Sequence, residues 1–136
     1  MKSPQLASKP ETETTSAEPI KKLSVVIPVF NSDRTLHELF CRLKDVFEQI
    51  EQDFEVVFVD DFSSDRSWDV IRQIKEEHPS LVTGIRLATN TGQHNATLCG
   101  LYFSAGDIMI TIDDDLQVPP EEIPKLIDHY QDTNAD

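Results

Sequence analysis

The stretch DIMITIDDDLQ (residues 107–117) runs an almost unbroken apolar string into three consecutive carboxylates. A short apolar run without polar alternation reads as a strand buried on both faces, the pattern of a parallel sheet covered by helices. The same device occurs three times upstream, as LSVVIPV (23–29), FEVVFV (54–59) and LVTGIRL (81–87). With DIMITI (107–112) these segments predict four strands. Helical patterns lie between and after them. Leu36, Leu39, Phe40, Leu43, Val46, Phe47 and Ile50 recur every three or four residues and share one helix face. Asn31, Ser32 and Asp33 precede that helix as candidate caps. Trp68, Ile71 and Ile74 mark a second helix behind Ser63, Ser64 and Asp65. A third carries Ala96, Leu98, Leu101, Tyr102 and Phe103. Pro119 and Pro120 open a fourth, with Ile123, Leu126, Ile127 and Tyr130. The order β-α-β-α-β-α-β-α predicts a Rossmann-like α/β fold, an open, mostly parallel sheet with helices on both faces.

Residues 1–22 are rich in Pro, Ser, Thr, Glu and Lys without apolar period. Such a segment cannot bury enough apolar area to offset its ordering entropy, so a disordered polar tail is expected there and an α/β domain over 23–136. The 136-residue chain carries a formal net charge of −13. That balance argues against a nucleic-acid partner or an anionic membrane surface, either of which needs a basic face. No apolar run reaches the length of a membrane span, which points to a cytoplasmic protein. Cys41 and Cys99 match no metal or redox spacing and are expected as buried free thiols in a reducing compartment.

In open α/β sheets ligands bind beyond the carboxyl ends of the strands, where strand order reverses. With the order 3-2-1-4, the ends of strands one, two and four line one crevice. Those ends are Pro28-Val29-Phe30-Asn31, Asp60-Asp61 and Asp113-Asp114-Asp115-Leu116-Gln117. Asn90, Gln93, His94 and Asn95, after strand three, are candidates for the same crevice; His37, His78 and His129 read as surface residues. Five converging carboxylates repel one another unless a cation offsets them. Mg²⁺ or Mn²⁺ is bound by one or two carboxylates together with substrate phosphates, so the DxD reads as a metal bridge to a diphosphate. The chain has no GxGxxG after the first strand, no GxxxxGK[ST] and no GxSxG, which removes the dinucleotide, P-loop and serine-hydrolase readings.

Taken together, VVIPVFN, VVFVDDFSSD, NTGQHNATLCGL and GDIMITIDDDLQVPPEEIPKLI resemble family 2 glycosyltransferases of the GT-A fold. The similarity is strongest to the polyprenyl-phosphate glycosyltransferases, with dolichyl-phosphate mannose synthases as relatives. It runs from about Leu23 to the end of the chain and is most specific at DDDLQVPPEEIP. The resemblance implies that Pro28, Phe30, Asn31 and Asp61 hold the nucleoside, with Asp60 beside them. It implies that Asp113, Asp115 and Gln117 form the metal and diphosphate group, with Asp113 and Asp115 the catalytic pair. Asn90, Gln93 and Asp114, the variable middle position, join the nucleotide-binding set. The activity implied is an inverting, metal-dependent transfer from a nucleotide sugar to a polyprenyl phosphate at the cytoplasmic face of a membrane; a UDP-linked donor is favoured over a GDP-linked one, though the motifs do not separate the two bases.

Three departures qualify that implication. Ser32 stands where the family carries Glu, and Thr89 where many relatives have Arg. The chain also stops at Asp136, so the expectation is a donor-binding part without its acceptor half. One alternative is a non-catalytic nucleotide-sugar-binding fragment. A more distant one is another Mg²⁺-dependent α/β phosphoryl-transfer enzyme, disfavoured because the acidic runs do not follow the strands that receiver domains or haloacid-type phosphatases use. Residues 107–136 carry nine acidic side chains against Lys125 alone. Self-repulsion there predicts a metal-responsive domain, and an uncovered fourth strand predicts self-association through a sheet edge. Trp68, just behind Asp60-Asp61, is expected to report on the crevice.

Overall fold

The structure is a computed structural model that describes residues 20–133. Four strands, β1 (Leu23–Val29), β2 (Phe54–Asp60), β3 (Val82–Arg86) and β4 (Ile108–Thr111), form one parallel sheet in the order β3-β2-β1-β4. That is the predicted order, with β1 and β4 adjacent across the point of reversal. The helices are α1 (Leu36–Gln49), α2 (Ser67–Glu77), α3 (Gln93–Phe103) and α4 (Ile123–Thr133), with a 3-10 turn at Pro120–Glu122. The observed strands match the apolar runs to within one residue at most ends.

Two compact units emerge. Residues 20–123 hold the whole sheet, α1 to α3 and the 3-10 turn; the other unit's described part, residues 124–133, is the body of α4. Within the first unit β1 and β2 are buried along their full lengths, which explains why neither alternates polar with apolar residues. The period of two assigns their side chains to faces. Val57 and Val59 of β2 join Val26 and Ala96 in a core beneath α3. Phe58 points the other way, its ring 6.5 Å from Phe40 of α1, while Phe54 stacks on Phe47 of α1 at 4.6 Å. Gly100 sets how closely α3 approaches the sheet. A Cβ there would clash with Val26 Cγ1 and lie 3.1 Å from Val59 Cγ2, so only glycine lets the helix backbone settle between the two valines.

Two local expectations are corrected. Asn31, Ser32 and Asp33 do not cap α1; its N-cap is Thr35, which makes no side-chain cap bond. Asn31 and Asp33 instead accept backbone amides of the loop after β2, and the Ser32 hydroxyl donates to the Asp114 carboxylate. Cys41 is exposed and Cys99 only partly buried. Cys41 lies beside His37 one turn earlier on α1, Sγ 3.9 Å from Nδ1, off the face that packs on the sheet. Residues 1–19 of the expected tail lie outside the described residues. Ile20–Lys22 are described: the Lys21 and Lys22 amides both donate to the Asp107 carboxylate at 3.0 Å, beside β4.

Candidate functional site

Parallel strands point all their carboxyl ends the same way, so the loops after β1, β2, β3 and β4 share one rim. There they enclose a cleft of about 400 Å³ lined by Pro28, Val29, Phe30, Asp61, Asn90, Gly92, Gln93, Asp113, Asp114 and Asp115. Eight of these ten were candidates from sequence; Val29 and Gly92 were not. Three candidates do not line it: Asn31, Asp60 and Gln117. His94 and Asn95 do not line it either, and the Asn95 amide turns back to the Thr91 carbonyl.

The β1 lip carries Phe30, whose ring is 49% exposed, and Asn31, which takes the left-handed conformation at φ 53°. Asparagine tolerates that conformation because its short side chain bonds locally. Asn31 Oδ1 accepts from the amides of Ser64 and Asp65, while its own amide donates to Ser63 Oγ. Asp33 and Asp65 repeat the exchange, each accepting an amide from the other loop. Burial pushes the Asp65 carboxyl upward, but hydrogen bonds from Ser67 outweigh it and hold the group below its ordinary value. Asn31 is therefore a brace between the β1 and β2 loops and not a wall of the cleft.

Asp61 is almost fully buried and accepts three hydrogen bonds. The Thr91 amide and hydroxyl reach Oδ1 at 2.7 and 3.0 Å, and the Gly92 amide reaches Oδ2 at 2.8 Å. Gly92 is the N-cap of α3 and has φ 94°, a conformation that favours glycine. The carboxylate thus anchors the turn that brings Gly92 and Gln93 to the cleft, and favours the amino end of α3. Asn90 Nδ2 adds a bond to the Asp61 carbonyl at 3.2 Å. Asp60, by contrast, does not line the cleft and is wholly buried, and its Oδ1 has no hydrogen-bond partner among the described residues. Its Oδ2 lies 3.5 Å from Arg86 Nε, and that guanidinium lies over the rings of Phe62 and Trp68 at 5.9 and 6.0 Å. Trp68 accordingly neighbours Arg86 and Gly84 and lines no part of the cleft, contrary to its expected role as a reporter.

The β4 end presents its three carboxylates differently. Asp113 and Asp115 are exposed at the cleft, and Asp113 Oδ1 accepts from Gln93 Nε2 at 3.0 Å. Asp114 is partly buried and accepts the Phe30 amide at 2.9 Å. Asp115 Oδ1 accepts the Gln117 amide at 3.1 Å, so position 117 supports the loop through its backbone. No group of three or more His, Cys, Asp or Glu close enough to hold a metal occurs among the described residues. Two exposed carboxylates two residues apart still suit Mg²⁺ or Mn²⁺, ions that take oxygen ligands and leave several positions to phosphate and water.

The sequence signals for Thr91 and Gly92 were faint: one of four glycines, following an Asn-Thr pair. Nothing in the sequence marks Ser32 or Thr35 as part of the rim, since their partners lie 79 or more residues away.

Comparison with known proteins agrees with the fold and with the family resemblance of the sequence. The curated relatives include an undecaprenyl-phosphate 4-deoxy-4-formamido-L-arabinose transferase of Serratia proteamaculans (strain 568), 46% identical over 110 residues, covering 81% of this chain and 34% of the relative. The corresponding transferase of Pseudomonas syringae pv. syringae (strain B728a) is 45% identical over 109 residues, covering 80% and 32%. The chain thus spans about a third of the length of the relatives it matches. Among solved structures, the mannosyltransferase PcManGT from Pyrobaculum calidifontis in complex with GDP-Man and Mn²⁺ superposes with a TM-score of 0.62 at 25% identity, over 77% of this chain and 30% of that one. S. aureus TarS 1–349 in complex with UDP gives 0.63 at 25% identity, over 82% and 32%. The family model described as glycosyl transferase family 2 matches residues 24–136, nearly the whole of the described domain, and the chain belongs to that family.

Proposed function

We propose that this chain carries the donor-binding part of an inverting glycosyltransferase that moves a sugar from a nucleotide sugar to a polyprenyl phosphate, acting at the cytoplasmic face of a membrane. The observation that carries the reading is the cleft itself. One cleft brings the apolar pair Pro28 and Phe30 together with the exposed carboxylates Asp113 and Asp115. A nucleoside diphosphate has the same polarity: a flat base at one end and anionic oxygens at the other.

Pro28 and Phe30 offer an apolar surface to the base. Asn90 and Gln93 offer amide groups in the same cleft. Asp113 and Asp115 supply hard oxygen ligands for Mg²⁺ or Mn²⁺. When bound, that cation offsets the charge on the departing nucleoside diphosphate. An acceptor phosphate is already ionised at neutral pH, so the cleft needs no strong general base. A UDP-linked donor is favoured by the resemblance to the polyprenyl-phosphate enzymes.

Titration of UDP and GDP, each with and without Mn²⁺, followed by calorimetry, tests the reading. The expected result is Mn²⁺-dependent binding of UDP that Asp115→Ala weakens. A folded chain that binds neither nucleotide would overturn it and leave family membership without a donor site. Self-association through β4, which among the described residues pairs only with β1 in the sheet and leaves Met109 44% exposed, belongs to the same proposal. Sedimentation equilibrium showing only monomer up to high concentration would refute that part.

A further inference from the structure

The middle residue of the acidic triplet makes contacts unlike those of its neighbours. Asp114 Oδ2 accepts two bonds from the β1 lip, the Phe30 amide at 2.9 Å and the Ser32 hydroxyl at 2.5 Å. Its carbonyl accepts a third from Thr35 Oγ1 at 2.6 Å. All three partners lie in the turn between β1 and α1, 79 to 84 residues earlier in the chain. On the other side of the turn Leu116 holds φ 63°, a conformation costly for a branched side chain and kept only where surroundings enforce it.

We propose that Asp114 is a positioning residue. It latches the loop bearing Asp113 and Asp115 to the Phe30 lip and so fixes the span between the apolar and the anionic ends of the cleft. This rests on the donor-site reading above for its role, but the latch is a property of the chain without ligand.

A carboxylate oxygen that already takes two donors has little capacity left for a cation, whereas Asp113 and Asp115 stand exposed. The two donors come from neighbouring polar groups of one turn, so a single side chain fixes both distance and orientation. Ser32 makes this pairing workable: a glutamate at that position, as in the resembling family, would set a second negative charge against Asp114, while a serine hydroxyl donates to it. The acid on this contact is thus supplied by the β4 loop, and the β1 turn supplies only donors.

The test compares Asp114→Ala, Asp114→Asn and Ser32→Ala in the full chain. Asparagine keeps an acceptor oxygen for both donors and gives up the charge. Amide hydrogen exchange at Phe30, measured by NMR on the ligand-free protein, reads the latch directly. Asp114→Ala is expected to speed that exchange by about tenfold or more, Ser32→Ala by less, and Asp114→Asn to stay within about threefold of wild type. Affinity for UDP with Mn²⁺ reads the consequence: weaker in Asp114→Ala and rescued by Asp114→Asn.

Unchanged Phe30 exchange in Asp114→Ala overturns the proposal. So does an Asp114→Asn chain that loses Mn²⁺-UDP affinity as fully as Asp113→Asn, because Asp114 is then a metal ligand. If the wild-type chain binds no nucleotide, the donor-site reading falls. Phe30 exchange alone then upholds or overturns the latch.

Discussion

At the end of β2, Asp60 and Asp61 are 0% and 3% exposed, and neither oxygen of Asp61 is left without an amide donor. At the end of β4, Asp113 and Asp115 stand exposed in the same cleft with one modest partner apiece. Both acidic runs follow apolar strands, and both strands are parallel. The difference comes from sheet position. β2 is central and flanked by β1 and β3, so the residues at its carboxyl end are covered by the β3–α3 turn. Among the described residues β4 has a neighbour on one side only. At the central strand end Asp61 serves structure by accepting backbone amides on both oxygens, whereas Asp113 and Asp115 at the other strand end accept one bond each and stay exposed to a ligand. Asp114 lies between these cases, within the exposed run but bonded to the neighbouring turn.

The largest expected effect is on the buried side of this contrast. Asp61→Ala leaves the Thr91 and Gly92 amides without an acceptor and is expected to lower unfolding free energy by about 3 kcal/mol, read from the urea midpoint. Asp113→Ala in the same assay should change it by no more than about 0.5 kcal/mol, as exposed substitutions do. Equal losses in the two variants would erase the distinction.

Ligand addition sharpens it from the exposed side. Mn²⁺ with UDP at a hundred times its dissociation constant should raise stability by about 2.7 kcal/mol, seen as a higher Tm. Nearly the same Tm with and without both would show that the exposed carboxylates hold nothing. Somewhat smaller is the effect of truncating either one: Asp113→Ala or Asp115→Ala should weaken Mn²⁺-UDP binding by about tenfold, as for loss of one charge-assisted contact.

The smallest effect concerns the laced loops behind Phe30. Asp65 has a lower pKa folded than unfolded, so the folded chain binds fewer protons there and stability rises with pH. This contribution is complete above the ordinary value of 3.8 and disappears as pH falls through the folded value. Asp65→Asn should therefore flatten the acid limb of a stability–pH profile slightly; an unaltered limb would mean the bonds that Asp65 accepts from Ser67 and Asp33 contribute nothing. Outside the cleft, the pair of Arg42 and Glu121 ties α1 to the 3-10 turn, and its hydrogen bond holds the Glu121 carboxyl low. That pair is exposed and screened, which makes it a useful control.

The fold was legible because β1, β2 and β4 are marked by nearly continuous apolar residues and α1, α2 and α4 by a period near 3.6, signals that survive without knowledge of neighbours; α3 lacks that period and buries only Ala96 and Gly100. Strand ends named most of the rim for the same reason. Asp60 and Asp61 show where that reading stops. Adjacent and chemically identical, they diverge because the pleat turns successive side chains to opposite faces, toward Arg86 and toward the Thr91 turn. Asn31 likewise looked like a helix cap and a nucleoside contact, but its oxygen is taken up by the β2 loop. Cys41 lies among apolar letters yet on the outward face of α1.

Sequence alone determined the four strands and the strand ends at which the acidic runs would gather, because apolar continuity and strand ends are local properties; the order of the strands was supposed from the sequence and decided by the structure. Only the tertiary structure decided which carboxylates are engaged by the backbone and which stand open to a ligand. That choice depends on amides brought from 30 or more residues away, by Thr91 for Asp61 and by Phe30 for Asp114. Hydrogen-bond partners across such separations are fixed by how the loops pack on one sheet edge, which no local pattern records.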